Sequence, residues 1–508
     1  MILRTAIFVL ISTILTTASP LQRAGAQPSA PSAPNNPAAD QATVAAIERT
    51  LVEVIHHAEP SVVAVARSAP QQQSLLAPHA DDIFTDLRQQ PVTGEPSTVA
   101  AGVIIDAAGL VLTEYLAVRE GEQNTITTID GKTYAATIKA ADPRSGLAVL
   151  SIVAAADNKR FHAITFGDAS QLRKGQFVIA IGNPYAIRSD GEPTASWGIV
   201  TNLARKAPPG INLNDAPGPN NDYRTTLHHL GTLIQTDAKL GWSAGGGALV
   251  NLRGELVGLT TTVATIAGHE QPAGYAIPMD ETIRRIIDTL KQGQEVEYGL
   301  LGIGFQTGNT AATGTATAGA VVQQVYPGSP AARAGLQAGD VITQIAGQPV
   351  NDVDRLQLLV SRLLPSQQVT IDYLRGNHPA TAQASLSKLA VPGKKVVTDR
   401  PPSWRGIRVD YALALDAATL AEQLAAGALD PAGCVVVSDV AQNSSAWNAG
   451  VRPGMFISHV GDQRVTTPGE FRDAVQNADE NVNLRLTQPI RSPNDGGGRD
   501  LEIPPTQP

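Results

Sequence analysis

The chain has 508 residues, enough for three or four folded units at roughly 150 residues each. With 43% hydrophobic and 17% charged residues it is neither disordered throughout nor collagen-like, despite 46 glycines and 35 prolines. The net charge is −8 and no Lys/Arg block marks a phosphate-binding face, which argues against nucleic acid as a partner; the single Cys434 excludes an intrachain disulfide and any multi-cysteine metal site.

The N-terminus reads as an export signal over residues 1–26. Met1 to Arg4 gives a positive start, Ala6 to Ala18 is apolar apart from Ser and Thr, and Ala24-Gly25-Ala26 offers small residues for cleavage after Ala26. The run is too short to span a bilayer comfortably, and no later stretch approaches the ~18 apolar residues a transmembrane helix needs. Removing this segment takes away Arg4 and Arg23 and no acid, which leaves −10 on an exported, periplasmic or secreted, acidic protein.

Residues 27–41 are rich in Pro, Ala and Ser and predict an extended tether. Val44, Ile47, Leu51 and Ile55 recur at helical spacing over Thr43 to Ala58. Pro60 ends that helix, Ser61 to Ala66 has β-branched strand content, and residues 68–97 lack any period and predict a long loop. From Val99 to about Ala276 short β-like runs alternate with turn residues, among them Gly102–Ile105, Leu110–Thr113, Leu147–Leu150, Phe177–Ile181 and Gly254–Leu259. Many short strands at such spacing predict an antiparallel barrel or sandwich. After Pro278, Ile283, Ile286, Ile287 and Leu290 form one helical stripe, with Gly293 placed as its C-terminal cap.

An internal repeat follows. Gly328 to Ile342 recurs as Asn443 to Ile457, an offset of 115 residues that also relates Ile345–Val350 to Val460–Val465. Each copy runs on into a helical pattern, Asp352 to Leu364 and Pro468 to Asn477. Two copies are too few for a solenoid and predict tandem modules over 298–390 and 404–503, joined by a linker over 391–403.

Gly302-Ile303 followed by Pro327 to Asp340 resembles a PDZ domain of the bacterial HtrA/DegP proteins. A peptide carboxylate requires a cluster of undonated backbone N–H groups, which a glycine turn before a strand provides, and the peptide then adds as a strand to the sheet edge. The resemblance implies that Leu300, Leu301, Gly302 and Ile303 form that turn. The second copy aligns Trp404, Arg405, Gly406 and Ile407 with it, and a helical insertion over Asp416 to Ala426 separates its first strands. Arg405 stands where an apolar residue is usual; contact with an acidic tail and exposure to solvent are both open for it.

The β-rich region, 42–297, resembles the trypsin-like, chymotrypsin-fold protease domain of the same family. The match is carried by Glu59–Val63, Gly102–Asp106, Leu110–Thr113, Ala141–Leu150, Gln176–Pro184, Gln235–Ala238, Gly246–Asn251 and Gly274–Pro278. The expected fold is mainly β: a double β-barrel followed by two PDZ domains.

Acyl transfer on this fold requires a hydroxyl nucleophile, an imidazole base and an orienting carboxylate. The family places its histidine in a pattern like T-N-N-H-V-V, where this chain has Leu116. Its aspartate opens D-L-A-V-L, where this chain has Gly146, and its serine lies in G-N-S-G-G-A-L-V-N, where gap-free counting from Asn251 gives Gly245. The rival nucleophile is Ser243, in Gly241-Trp242-Ser243-Ala244-Gly245. That pentad matches the elbow of α/β-hydrolases but has no βαβ pattern around it.

These positions lead to the expectation of no enzyme: an inactive HtrA-like pseudoprotease that binds extended polypeptides or C-termini through its PDZ modules, as a chaperone or as a regulator of active homologues. The alternatives are a serine endopeptidase of protein quality control using Ser243, and a structural envelope protein. The resemblance implies a homotrimer or a mixed oligomer. No cofactor and no metal site is expected, and Cys434, in a strand pattern, is expected to be a packed thiol.

Overall fold

The computed structural model describes residues 37–68, 98–153, 160–183, 192–207, 226–239, 245–262, 274–305, 319–476, 480–487 and 499–505. The expected export signal, most of the expected tether and loop, and Ser243 lie outside these residues. The chain divides into two compact units, Met1–Arg49 and Thr50–Pro508. The first helix, α1 (Pro37–Ala58), begins six residues before Thr43, inside the expected tether. Pro37 starts it because a first-turn residue has no intrahelical N–H bond to lose.

Two closed six-stranded barrels follow. The first contains β1 (Val62–Ser68), β2 (Thr98–Asp106), β3 (Leu110–Glu114), β4 (Gln123–Thr127), β5 (Thr133–Asp142) and β6 (Leu147–Ile152). They pair in the order β5-β4-β1-β2-β3-β6 and close through β5–β6. The second contains β7 (Phe177–Gly182), β8 (Thr194–Arg205), β9 (Leu233–Thr236), β10 (Ala248–Val250), β11 (Leu256–Thr260) and β12 (Gly274–Pro278), in the order β10-β11-β12-β9-β8-β7. Continuous apolar runs such as Leu147–Leu150 arise because both strand faces are buried. Ala148 and Leu150 fill the first barrel with Val63, Val65, Ile104 and Val111, while Leu147 and Val149 pack with Ile179, Ile181 and Val250.

Helix α2 (Glu281–Gln292) starts where the Asp280 carboxylate accepts from Ile283 N at 2.9 Å and stops at Gly293, whose φ is +82°. Its buried Ile283, Ile286, Ile287 and Leu290 join the same core as Tyr298. The Tyr298 phenol is fully buried and donates to Asp142 Oδ2 at 2.5 Å, tying the entry to the next module onto the first barrel.

The first PDZ module comprises β13 (Gly299–Leu300), β14 (Ile303–Gly304), β15 (Ala320–Val321), β16 (Gln324–Val325), α3 (Pro330–Arg333), β17 (Val341–Ile345), β18 (Gln348–Pro349), α4 (Val353–Arg362), β19 (Gln368–Arg375), β20 (His378–Ser385) and β21 (Ser387–Lys388). Leu301, Ile342, Ile345, Leu356 and Ile371 are among its core. The joining segment carries β22 (Val396–Val397), which pairs with Ala140 and Ala141 of β5 and so adds a strand to the first barrel. The second module comprises β23 (Ile407–Tyr411), α5 (Ala417–Ala425), β24 (Val435–Val440), α6 (Ser445–Asn448), β25 (Phe456–Val460), β26 (Gln463–Arg464), α7 (Pro468–Val475), β27 (Val482–Leu486) and β28 (Arg499–Ile503). Helix α5 is the expected insertion, capped by Asp416. Cys434 is buried beside it, and burial pushes its thiol up to about 11.

A buried cation adds to the contact between the two PDZ modules, where Ser366 Oγ also meets the Tyr411 hydroxyl at 2.7 Å. Lys388 Nζ lies 3.0 Å from Glu295, 3.3 Å from Glu297 and 2.8 Å from Asp410 of the second PDZ module. Its neighbouring carboxylates hold the ammonium well above its ordinary pKa against the effect of burial.

Candidate functional site

Strands β3 and β6 bring the first two expected catalytic positions together. Glu114 pairs with Leu147, and Tyr115 N donates to Gly146 O at 2.8 Å. The short turn Tyr115–Ala117 then presents Leu116 outward, half exposed. The third position joins through β2, where Ala101 N donates to Gly245 O at 2.9 Å. Leu116, Gly146 and Gly245 thus gather at one edge of the barrels, and none of them offers a proton-transferring or attacking atom. The amides that follow are spent: Gly246 N donates to Thr260 O at 2.7 Å and Gly247 N to Thr260 Oγ1 at 2.8 Å.

Two ionisable groups outside the three counted positions stand beside the glycines: Glu114, which the sequence reading did not weigh, and His228, which it weighed as a base for Ser243 and set aside. The first is Glu114, at the end of β3, only 4% exposed. It accepts from Thr262 N at 2.9 Å and Thr262 Oγ1 at 3.0 Å, and a β-carbon on Gly245 would fall within its Oε2 contact radius. Burial holds this carboxyl above the usual carboxylate range, although its Thr261 and Thr262 hydrogen bonds act the other way. An acid within a strand of otherwise buried residues, next to Thr113, was the available signal.

The second is His228, fully buried, in the turn Leu227–Leu230 before β9. Its Nε2 lies 2.8 Å from Ser145 O, and its Nδ1 lies 3.0 Å from Thr232 Oγ1. Burial lowers its pKa to about 4, so the ring is neutral at pH 7. Because a carbonyl only accepts, Nε2 carries the proton and Nδ1 accepts from Thr232. A β-carbon on Gly146, where φ is +71°, would lie 3.2 Å from Nε2. Among the described residues no group of three or more His, Cys, Asp or Glu is arranged to hold a metal ion.

The first PDZ turn is open. A cavity of about 230 Å³ is lined by Leu300, Leu301, Gly302 and Ile303, by Leu356 and Val360 of α4, and by Arg144 and Leu230 of the barrels. Gly302 has φ +77°, and a β-carbon there would collide with Ser329, so only glycine fits the turn. Tyr326 N donates to Gly302 O and Ala331 N to Leu301 O, which engages both carbonyls within the module, while the amides of Leu301 and Gly302 donate to no oxygen among the described residues.

The second turn is hydrogen-bonded across its base. Trp404 N donates to Ile407 O at 2.9 Å and Ile407 N returns to Trp404 O at 2.8 Å, with Arg405 and Gly406 at φ +47° and +91° between them. Arg405 turns to neither an acidic tail nor bare solvent: its guanidinium donates to Ile503 O at 2.6 Å and Glu480 O at 2.7 Å and lies over the Trp404 ring. The edge of β23 faces a second cavity shared with the joining segment, where Arg408 Nε donates to Pro401 O at 3.0 Å.

A double β-barrel followed by two PDZ modules is the chymotrypsin-like architecture expected from the sequence. The profile of a trypsin-like peptidase domain matches residues 100–259, and PDZ profiles match 299–386 and 436–488. The chain is 30% identical over 448 residues to the periplasmic pH-dependent serine endoprotease DegQ of Escherichia coli (strain K12), covering 85% of this chain and 87% of that protein. It is 30% identical to a probable periplasmic serine endoprotease, DegP-like, of Brucella suis biovar 1 (strain 1330), over 77% of this chain and 71% of that protein. The solved structure of the HtrA-type protease AlgW with decapeptide is 26% identical, with a TM-score of 0.48, over 69% of this chain and 98% of that one. The chain belongs to the HtrA/DegP family of PDZ-bearing serine endoproteases.

The expectation of no enzyme is corrected by the DegQ and DegP-like relatives, which are named serine endoproteases. The Gly245 position rested on gap-free counting back toward a loop of which 240–244 lie outside the described residues, whereas Leu116 and Gly146 were read from their own strand motifs.

Proposed function

We propose that this chain is a periplasmic polypeptide-handling endopeptidase of the HtrA type, which captures substrates by their ends in the first PDZ turn. The observation that carries capture is the pair of undonated amides at Leu301 and Gly302 above an apolar cavity, the arrangement a peptide carboxylate and its last side chain require. Cleavage and the periplasmic location are supported by the relatives, which are named periplasmic serine endoproteases. Gly245 has no hydroxyl, so the proposed nucleophile is Ser243, two residues earlier.

A fluorophosphonate probe on the purified mature protein tests the chemistry. Stoichiometric labelling that disappears in Ser243→Ala supports it; the absence of labelling contradicts it. An array of C-terminal peptides tests capture independently, and uniform failure to bind contradicts that part.

A further inference from the structure

The first PDZ turn has a neighbour from the second module. Leu413, between β23 and α5, is buried. A β-carbon built on Gly302 would lie 3.5 Å from Leu413 Cδ1, at ordinary van der Waals distance. Leu413 belongs to a buried cluster with Leu429, Val436 and Phe456, and Leu300 of the first turn packs against that cluster, as do Leu420 and Leu424 of α5. Two polar ties within three residues of Leu413 hold it there. Asp410 meets Lys388 Nζ at 2.8 Å and the Tyr411 hydroxyl meets Ser366 Oγ at 2.7 Å, both partners belonging to the first module. The cavity of about 230 Å³ beside the turn is lined by no described residue of the second module, so this contact falls outside it.

We propose that the second PDZ module buttresses the first PDZ turn, with Leu413 as the positioning residue, so that the two modules act as one capture unit. The inference rests on the capture reading above and deepens it. A turn built on glycine is free to take other backbone angles, and the amides of Leu301 and Gly302 have no described acceptor to hold them in place. Binding then costs the ordering of that turn, unless something outside it orders it beforehand. Leu413 does so with an apolar side chain, which offers no donor or acceptor to compete with a ligand. A plug would line the cavity, whereas Leu413 touches the turn from outside it. Helix α5 gains a role as well: it has no fully buried residue of its own, and its Leu420 and Leu424 pack on the cluster to which Leu413 belongs.

The test uses the full chain and a fluorescent decapeptide ending in leucine with a free carboxylate, chosen for the apolar lining from Leu300, Ile303 and Phe305. In anisotropy titration Leu413→Ala should weaken binding about tenfold, the size of the ordering cost of a side chain or short turn. Leu413→Met, which conserves volume, should stay within about twofold of the wild type. Leu429→Ala separates positioning from plain loss of stability. Leu429 is buried in the same cluster but is not among the atoms nearest Gly302, so this variant should bind as the wild type does. Equal affinity in the wild type and Leu413→Ala, or an equal loss in Leu429→Ala, overturns the buttress and leaves capture intact. No binding by the wild type overturns capture, and the buttress with it. Should Leu413→Ala fail to fold, hydrogen exchange in the wild type decides. Coupling is reciprocal, so saturating peptide should slow amide exchange over residues 411–424; slowing confined to the first module overturns the proposal.

Discussion

The carboxylate of Glu114 fills the space that a side chain on Gly245 would need. The backbone at Gly245 is not in the left-handed region, so a substitution there meets a steric obstacle and no torsional one. Gly245→Ser should cost about 1–3 kcal/mol through overpacking, and Glu114→Ala should remove most of that penalty. A double-mutant cycle by urea denaturation measures the coupling; strict additivity would show that the two positions do not compete.

Glu114 also sets a pH trend. Its folded-state pKa is raised by burial, so the stability it contributes is present in acid and lost as pH rises through that value. Glu114→Gln, which cannot ionise, should be more stable than the wild type at pH 8 and should lose that advantage below the ordinary carboxylate range. Chemical denaturation at the two pH values decides it.

His228 acts in the opposite sense. Its pKa falls from 6.5 to about 4 on folding, so the unfolded chain binds a proton between those values and the native one does not. Stability should therefore fall as pH drops from about 6.5 to about 4, by roughly 3 kcal/mol at about 1.4 kcal/mol per unit. His228→Gln should flatten that limb. An unchanged slope in the variant would assign the acid transition to other groups.

Lys388 ties the first PDZ module to Asp410 of the second and to Glu295 and Glu297 before β13. Lys388→Met removes the cation shared by Glu297 and Asp410, while Glu295 keeps Lys395 at 2.6 Å, and should cost about 3–5 kcal/mol. Calorimetry should show one cooperative transition splitting, with the second PDZ module melting separately.

Much of the architecture was legible in the sequence because it is written in periodicity and repetition. The apolar runs of both barrels, the stripe Ile283–Leu290 with its Gly293 cap, and the 115-residue repeat each correspond to observed elements. The strand β22 was not legible, since a two-residue pairing has no period and its partner β5 lies some 250 residues earlier. The site was legible only as empty positions. Glu114 was missed because the family comparison looked two residues further, to Leu116.

The most direct measurement is cleavage of an unfolded casein-like substrate by the mature protein, followed by mass spectrometry beside its Ser243→Ala variant. The account predicts fragments from the wild type and none from the variant. An intact substrate in both reactions, or the same fragments from both, would contradict it.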